Sequence, residues 1–277
     1  MASEAPSDLK RVFAVIDPER FVQPAFERAE WIAARNGAVL HLFCCFGDQG
    51  IAADHSLAKF SIERATRWLE RLTSEAGQYE LETEIEVEWN SNWRERIPEA
   101  ARASNADLIV KTISRHSALG RRLKETADWN LLQKATRPVL LIDPTRPPQP
   151  RKILAAIKLN PDSEEYAVLN EHVLAMSHRL AAALEGELEA ITVYKGDQIH
   201  FDRQKFADSC GLPRNRVHSY EGTAHGEIPR AARELGSDIL VIGCANRHLG
   251  GSGSILGGTA ERIMDAVDTD LVVIPNA

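Results

Sequence analysis

The chain has 277 residues, 44% of them hydrophobic and 26% charged, with a formal net charge of -7. That length suits two domains that each bury a core of their own. The composition excludes a disordered chain, no apolar run approaches the length of a membrane span, and the acidic balance argues against a broad electrostatic footprint for nucleic acid.

Residues 1 to 8 are polar and acidic, with no basic region followed by an apolar core, so a cytoplasmic protein is expected. Cys44, Cys45, Cys210 and Cys244 show no paired spacing. They read as reduced, mostly buried thiols rather than a disulfide framework or a Cys-x-x-Cys metal site.

Arg11 to Asp17 reads as a strand that ends in a carboxylate and a turn, and Gln23 to Asn36 as an amphipathic helix closed by Gly37. A second apolar strand, Ala38 to Cys44, precedes a long helical pattern from Leu57 to Ala76. Leu81 to Trp89 alternates apolar and polar with period two, the signature of an edge strand exposed on one side. A helix from Trp93 to Ser104, a strand from Ala106 to Lys111, a short helix from Thr126 to Ala135 and a strand from Arg137 to Ile142 come next. Strands alternating with helices imply a parallel sheet covered on both faces.

The pattern stops at the proline-dense stretch Asp143 to Pro150, which puts the domain boundary at 146/147, giving domains 1–146 and 147–277. The same order then begins again. Strands at Lys152 to Ile157, Glu187 to Val193 and Arg216 to Tyr220 alternate with helices at Ser163 to Leu184 and Gln204 to Ser209. Ile97-Pro98 through Asp107 matches Ile228-Pro229 through Asp238 without a gap, since 228−97 and 238−107 are both 131. The chain is therefore a tandem repeat of one α/β domain. In such open sheets, ligands bind outside the carboxyl ends of the strands where strand order reverses.

The most suggestive loop lies in the second half. Asp238 to Ile242 is a buried-strand run, Gly243 to Gly258 is rich in glycine, and Thr259-Ala260-Glu261 has the chemistry of a helix start. Backbone N–H groups at such a turn can converge on a phosphate, favoured by the helix dipole. The corresponding stretch of the first half, Lys111 to Trp129, retains only Gly120 and carries Arg115, His116, Arg121, Arg122 and Lys124, which reads first as a solvated charged loop.

At the end of the first strand the halves differ, with Asp17 in one and Lys158 in the other. Asp17 is either an Asp-Pro turn initiator or a carboxylate for a nucleoside's amino or hydroxyl groups; Lys158 is either a solvated strand end or a phosphate cation. Glu221 to Pro229 resembles a capped helix start with Thr223 as N-cap. His225, with Cys210, His218, Cys244 and His248, could reach a metal, yet the spacing matches no metal signature and no metal is assigned. Trp89, Trp93 and Trp129 read as core or interface aromatics. No Ser-His-Asp order, nucleophile elbow or carboxylate pair emerges, so no catalytic residue is expected.

The repeat, the strand-end Asp17 and the loop from Gly243 to Glu261 together resemble the universal stress protein family, in particular its tandem two-domain members. Leu108 to Thr112 followed by Thr126 to Leu132, and Gly257 to Glu261 followed by Asp270 to Ile274, carry the resemblance most closely. It implies two doubly wound domains, each a five-stranded parallel sheet of order 3-2-1-4-5 with helices on both faces. It also implies intramolecular pairing of the domains through their last strands, which leaves a homodimer open, and a small-ligand pocket that holds ATP in many members.

Against the family's G-x2-G-x9-G-[ST] pattern, Gly243 matches the first glycine and Asn246 stands at the second. The loop is one residue longer, and Gly258 takes the hydroxyl position with Thr259 just beyond. The expected ligand site is Lys158, Leu159, Asn160, Val193, Gly222, Thr223, Ala224, His225, Gly243, Asn246, Arg247, Gly257, Gly258 and Thr259, with Asp17 and Thr112 as candidates in the first half. The expected occupant is a small anion: ATP, or another nucleotide-like or lipid-like ligand. Three functions stand as expectations: a non-catalytic stress-response module that binds this ligand, an ATP-binding protein with weak ATPase or nucleotidyl-transfer activity, or a scaffold whose sites have decayed.

Overall fold

The computed structural model describes residues 9–47, 55–113, 127–146, 149–159, 163–196, 201–245, 247–249, 253–255 and 258–276. The chain divides into two compact units, with Ser7–Pro144 in one and Thr145–Ala277 in the other.

In the N-terminal unit the order is β1 (Arg11–Val15), α1 (Pro24–Asn36), β2 (Val39–Phe46), α2 (His55–Ala76), β3 (Thr83–Trp89), α3 (Trp93–Ala103), β4 (Leu108–Thr112), α4 (Ala127–Lys134) and β5 (Val139–Ile142). The strands are parallel in the order β3-β2-β1-β4-β5. The sheet reverses direction of growth between β1 and β4. The C-terminal unit repeats this with β6 (Lys152–Ala156), α5 (Glu164–Ala183), β7 (Glu187–Tyr194), α6 (Arg203–Cys210), β8 (Val217–Glu221), α7 (Ala224–Glu234) and β9 (Ile239–Cys244). After β9 come β10 (Arg247–Leu249), β11 (Gly253–Ile255), α8 (Gly258–Ala266) and β12 (Asp270–Pro275). Its parallel order is β8-β7-β6-β9-β12, with the reversal between β6 and β9.

One element differs from the sequence expectation. Inside the glycine-rich stretch, β10 and β11 pair antiparallel, with Arg247 opposite Ile255. Three-residue strands are too short to leave a periodic signal, and glycine lowers strand propensity, so the stretch reads as plain loop.

Local chemistry explains most boundaries. Pro24 opens α1 at a position whose N–H has no helical partner, and Gly37 closes it in the left-handed conformation (φ 60°). Ser163 caps α5 by accepting from the Tyr166 N–H, and Asp202 caps α6 by accepting from Gln204 and Lys205. Thr223 precedes α7 with extended backbone, yet its hydroxyl makes no capping bond. The Thr223 carbonyl instead accepts from the Gly226 and Glu227 N–H groups, which corrects the expected side-chain cap.

The repeat's shared aspartate has a structural task in both halves. Asp107 Oδ2 accepts from the backbone N–H groups of Lys10 and Arg11 at 2.8 and 3.0 Å, pinning the start of β1 to β4. Asp238 Oδ2 does the same for Arg151 and Lys152 at 2.8 and 3.0 Å, pinning β6 to β9. A carboxylate bound by two amides is a strong, charge-assisted brace, which accounts for aspartate at both ends of the gap-free match.

One side of β3 carries a row of glutamates; all seven residues of the strand are half-buried, so neither side is open as the alternating pattern suggests. Glu84 pairs with Arg11 and with His41 Nδ1 at 3.0 Å, and Glu86 reaches His41 Nε2 at 2.9 Å. In the C-terminal unit, His218 on β8 meets Glu189 on β7 at 2.9 Å. Strand register makes Glu189 the counterpart of His41 and His218 the counterpart of Glu86, so the same cross-strand diagonal carries the pair with its residues exchanged.

Glu88 receives Arg96 through two bonds of 2.6 and 2.7 Å. The Arg96 hydrogen bond holds the Glu88 carboxyl below the usual carboxylate range. Glu88→Gln is therefore expected to lose about 1 kcal/mol at pH 7. Because the folded pKa is depressed, this contribution is present above the ordinary carboxylate pKa and lost as pH falls through the lower folded value. Urea unfolding at neutral and acid pH checks it; a gap between the two proteins that ignores pH would refute the assignment.

Candidate functional site

At the carboxyl edge of the N-terminal sheet, the polar groups satisfy one another. Asp17 Oδ1 accepts from the Glu19 N–H at 3.0 Å, closing an Asx-type turn, and its Oδ2 accepts from Arg20 Nε at 3.2 Å. Arg20 then donates through Nη2 to the Ile113 carbonyl at 3.1 Å, one residue past β4. A single guanidinium thus ties the loop after β1 to the end of β4, across the reversal point. Thr112 faces the same place, and its hydroxyl accepts from the Ala25 N–H in the first turn of α1 at 3.2 Å.

Beside them, Lys111 Nζ lies 2.6 Å from Asp128 Oδ1, with side chains only 10% and 3% exposed, and also donates to the Thr112 carbonyl at 2.9 Å. An ammonium this deep requires such partners. Asp128 sits in the first turn of α4, where the helix dipole favours its charge. Arg115, His116, Arg121, Arg122 and Lys124 lie outside the described residues.

The C-terminal edge is built differently. Asn170, in the second turn of α5, clamps the backbone of Lys158 in both directions: its Nδ2 donates to the Lys158 carbonyl at 2.9 Å and its Oδ1 accepts from the Lys158 N–H at 3.1 Å. The Lys158 ammonium rests 3.8 Å from the centroid of Tyr166, one helical turn before Asn170. Lys158 is exposed and Leu159 half-buried.

Leu169, next to Asn170, packs onto Gly243 at the end of β9. A Cβ on Gly243 would lie 2.6 Å from Leu169 Cγ, so glycine there lets α5 lie across the β6/β9 reversal. Gly222 adopts φ 147°, a conformation that favours glycine, and its N–H reaches the Tyr194 carbonyl at 2.9 Å, linking the ends of β7 and β8. Ala224 and His225 open α7, and Pro229 has no N–H to offer the His225 carbonyl. Val193 is half-buried near the end of β7, opposite Tyr220. Gly258 and Thr259 begin α8 and are exposed; a Cβ on Gly258 would meet nothing within 4 Å.

Because the strands are parallel and adjacent, Lys158, Leu159, Val193, Gly222, Thr223, Ala224, His225 and Gly243 share one sheet edge. Asn160, Asn246 and Gly257 lie outside the described residues, and Arg247 is described only as part of β10. Asp17 and Thr112 occupy the corresponding edge of the other unit.

Cys210 is buried, which pushes its thiol up to about 11, Cys244 is buried, and His218 is engaged by Glu189. His248 has no described side chain. Among the described residues, no group of three His, Cys, Asp or Glu side chains could hold an ion. Burial likewise pushes Cys44 and Cys45 up to about 12, far from thiolate reactivity at neutral pH.

Sequence reasoning missed Arg20, Tyr166, Leu169 and Asn170. One signal was present: Tyr166 and Asn170 are spaced i, i+4 at the start of the helix that comes after Lys158, so both face the strand end. Leu169 and Arg20 act through tertiary contacts that carry no local pattern.

The Universal stress protein family model matches residues 9–143. The chain is 26% identical to Universal stress protein E of Escherichia coli (strain K12), over 96% of this chain and 93% of that relative. The crystal structure of a functionally unknown protein from Pseudomonas aeruginosa PAO1 is similar over 97% of this chain and 93% of that one, at 25% identity and a TM-score of 0.76. A universal stress protein from Archaeoglobus fulgidus DSM 4304, 16% identical with a TM-score of 0.67 over 96% of each chain, shares the fold. Among the described residues, no helix is long and apolar enough to cross a membrane.

Proposed function

We infer, for a chain that belongs to the universal stress protein family, that it binds a small phosphate-bearing ligand at the carboxyl edge of its C-terminal unit and serves as a non-catalytic stress-response module of the cytoplasm. The observation that carries this reading is the exposed Lys158 at the strand end beside the reversal point of the C-terminal sheet, where the N-terminal sheet has Asp17. In the N-terminal unit Asp17, Arg20, Lys111, Thr112 and Asp128 are engaged with one another and with the backbone. In the C-terminal unit an exposed lysine is held beside the reversal point, against an aromatic face. The open first turn of α8 belongs to the same loop system. An ammonium and a helix N-terminus both favour an anion, and phosphate suits both.

The test is mass spectrometry of the small molecules released when the purified protein is denatured, paired with calorimetric titration of the emptied protein. A phosphate-bearing molecule should be released, and Lys158→Met should weaken its rebinding by about ten-fold or more, the loss of one charge-assisted contact. Equal binding by the variant would sink the site assignment. Release of inorganic phosphate from ATP with Mg²⁺ above background would favour the enzyme reading instead.

A further inference from the structure

We propose that the carboxyl edge of the N-terminal unit holds a second ligand subsite, formed by the Asp17 carboxylate and the Ile113 carbonyl, which Arg20 closes in the free protein and which takes a small amphipathic cation with an amidinium or guanidinium head. It lies in the other unit from the phosphate site proposed above, and it stands or falls separately from it.

The two acceptors come from neighbouring strands. Asp17 follows β1 and Ile113 follows β4, so they flank the point where the strand order reverses, where open α/β sheets leave a crevice. A carboxylate and a carbonyl facing one gap offer lone pairs and no proton, so the gap selects a group with N–H donors and positive charge. Arg20 meets both, donating from Nε to Asp17 Oδ2 at 3.2 Å and from Nη2 to the Ile113 carbonyl at 3.1 Å. The protein thus fills the subsite with its own guanidinium.

Two observations mark Arg20 as an occupant that can leave. The Arg20 and Asp17 side chains are 31% and 46% exposed, and an ion pair so open to water holds weakly. The turn that carries them is also fixed without the guanidinium. Gln23, only 3% exposed, donates to the carbonyls of Asp17 and Arg20, both at 2.7 Å, and accepts from the Asp17 N–H at 3.4 Å. The Arg20 N–H reaches the Asp17 carbonyl at 3.1 Å, and Asp17 Oδ1 keeps the Glu19 N–H. With the backbone pinned by these bonds, the Arg20 side chain can swing out and leave both acceptors in place.

The same turn gives the ligand its second feature. Phe21, next to Arg20, has a relative exposure of 101%, and Val22 is 57% exposed. An aromatic side chain carried on a pinned turn loses little freedom on contact and offers a large apolar face. A flat apolar body behind an N–H-bearing cation matches both the acceptors and these side chains.

The experiment uses the full chain, with benzamidine as the probe, titrated by calorimetry. Arg20→Ala should bind it about ten-fold or more tightly than the wild type, because the subsite no longer has to be vacated first. Adding Asp17→Asn to Arg20→Ala should abolish that gain, and adding Phe21→Ala should weaken binding by about five-fold through lost apolar contact. In the wild type, the Arg20 Nε–H NMR signal, assigned by its loss in Arg20→Lys, should move toward that of a solvated arginine as benzamidine saturates. That readout keeps the test decisive should Arg20→Ala fail to fold. A merely structural Arg20 would lower the melting temperature of Arg20→Ala with no gain in affinity, and would overturn the proposal. So would a wild type that does not bind benzamidine, binding that leaves the Arg20 signal unmoved, or a gain that survives Asp17→Asn. Unchanged affinity on adding Phe21→Ala would overturn the assignment of the apolar body.

Discussion

Lys111→Met should destabilise the N-terminal unit by about 3–5 kcal/mol, because it removes the ammonium that faces the Asp128 carboxylate in a site where that side chain is only 3% exposed. Asp128→Asn should cost somewhat less, since an amide can still accept from the ammonium, although the Asp128 charge facing that buried cation is lost. The double variant Lys111→Met, Asp128→Leu should recover most of the loss, as replacing both members of a buried pair by apolar groups commonly does. Urea unfolding followed by tryptophan fluorescence measures all three, with the buried Trp129 of α4 close to the change. A Lys111→Met protein within about 0.5 kcal/mol of wild type, the range of an ordinary surface change, would mean that the pair does not hold α4 to β4.

Gly243→Ala has the second large effect. Its new Cβ would stand 2.6 Å from Leu169 Cγ and 2.8 Å from Cδ2, well inside the 3.5–4.0 Å of ordinary carbon contact. Leu169 is 4% exposed, so it cannot relieve the clash by turning into solvent without giving up its packing. The expected cost is about 1–3 kcal/mol, the usual range for overpacking a core. The diagnostic is the background. In Leu169→Ala, which is itself destabilised by the lost side chain, adding Gly243→Ala should cost far less, a coupling on the order of 1 kcal/mol or more. Additive losses would show that the strain lies elsewhere. The glycine that reads as the first residue of a phosphate loop is thus also required by the packing of a helix, and loss of ligand binding in Gly243→Ala cannot by itself be credited to a missing phosphate contact.

The fold was legible in the sequence because its signals are local and occur twice. Apolar runs of strand length alternate with amphipathic helices, and the gap-free match around Asp107 and Asp238 shows the duplication. The structure gives that match its reason, a carboxylate brace between the first and fourth strands of each unit. The ribbon of β10 and β11 was not legible, being too short for a period. At the sites, residue type was readable and partner choice was not. Asp17 admits a turn role and a ligand role from sequence; the Glu19 and Arg20 contacts supply the turn role in the structure. Lys111 looks like the polar end of a strand, and only the fold brings Asp128, 17 residues later (128−111), against it. Asn170 is an ordinary helical asparagine until the chain folds it back onto Lys158.

The exchanged histidine–glutamate diagonal bears on how the two halves can be interconverted. To turn one arrangement into the other by direct His-for-Glu exchange, one position at a time, the chain passes through a state with two imidazoles or two carboxylates facing each other across neighbouring strands. In the N-terminal unit the second case would crowd a further carboxylate against Glu84 and Glu86, where like charges repel. Chimeras that graft β2 or β3 alone from the other half would inherit that mismatch, whereas grafts that move the two strands together would carry a matched pair. A β-α-β piece of two adjacent parallel strands and their crossover helix, rather than a single strand, therefore keeps this pair matched when it is traded between the halves.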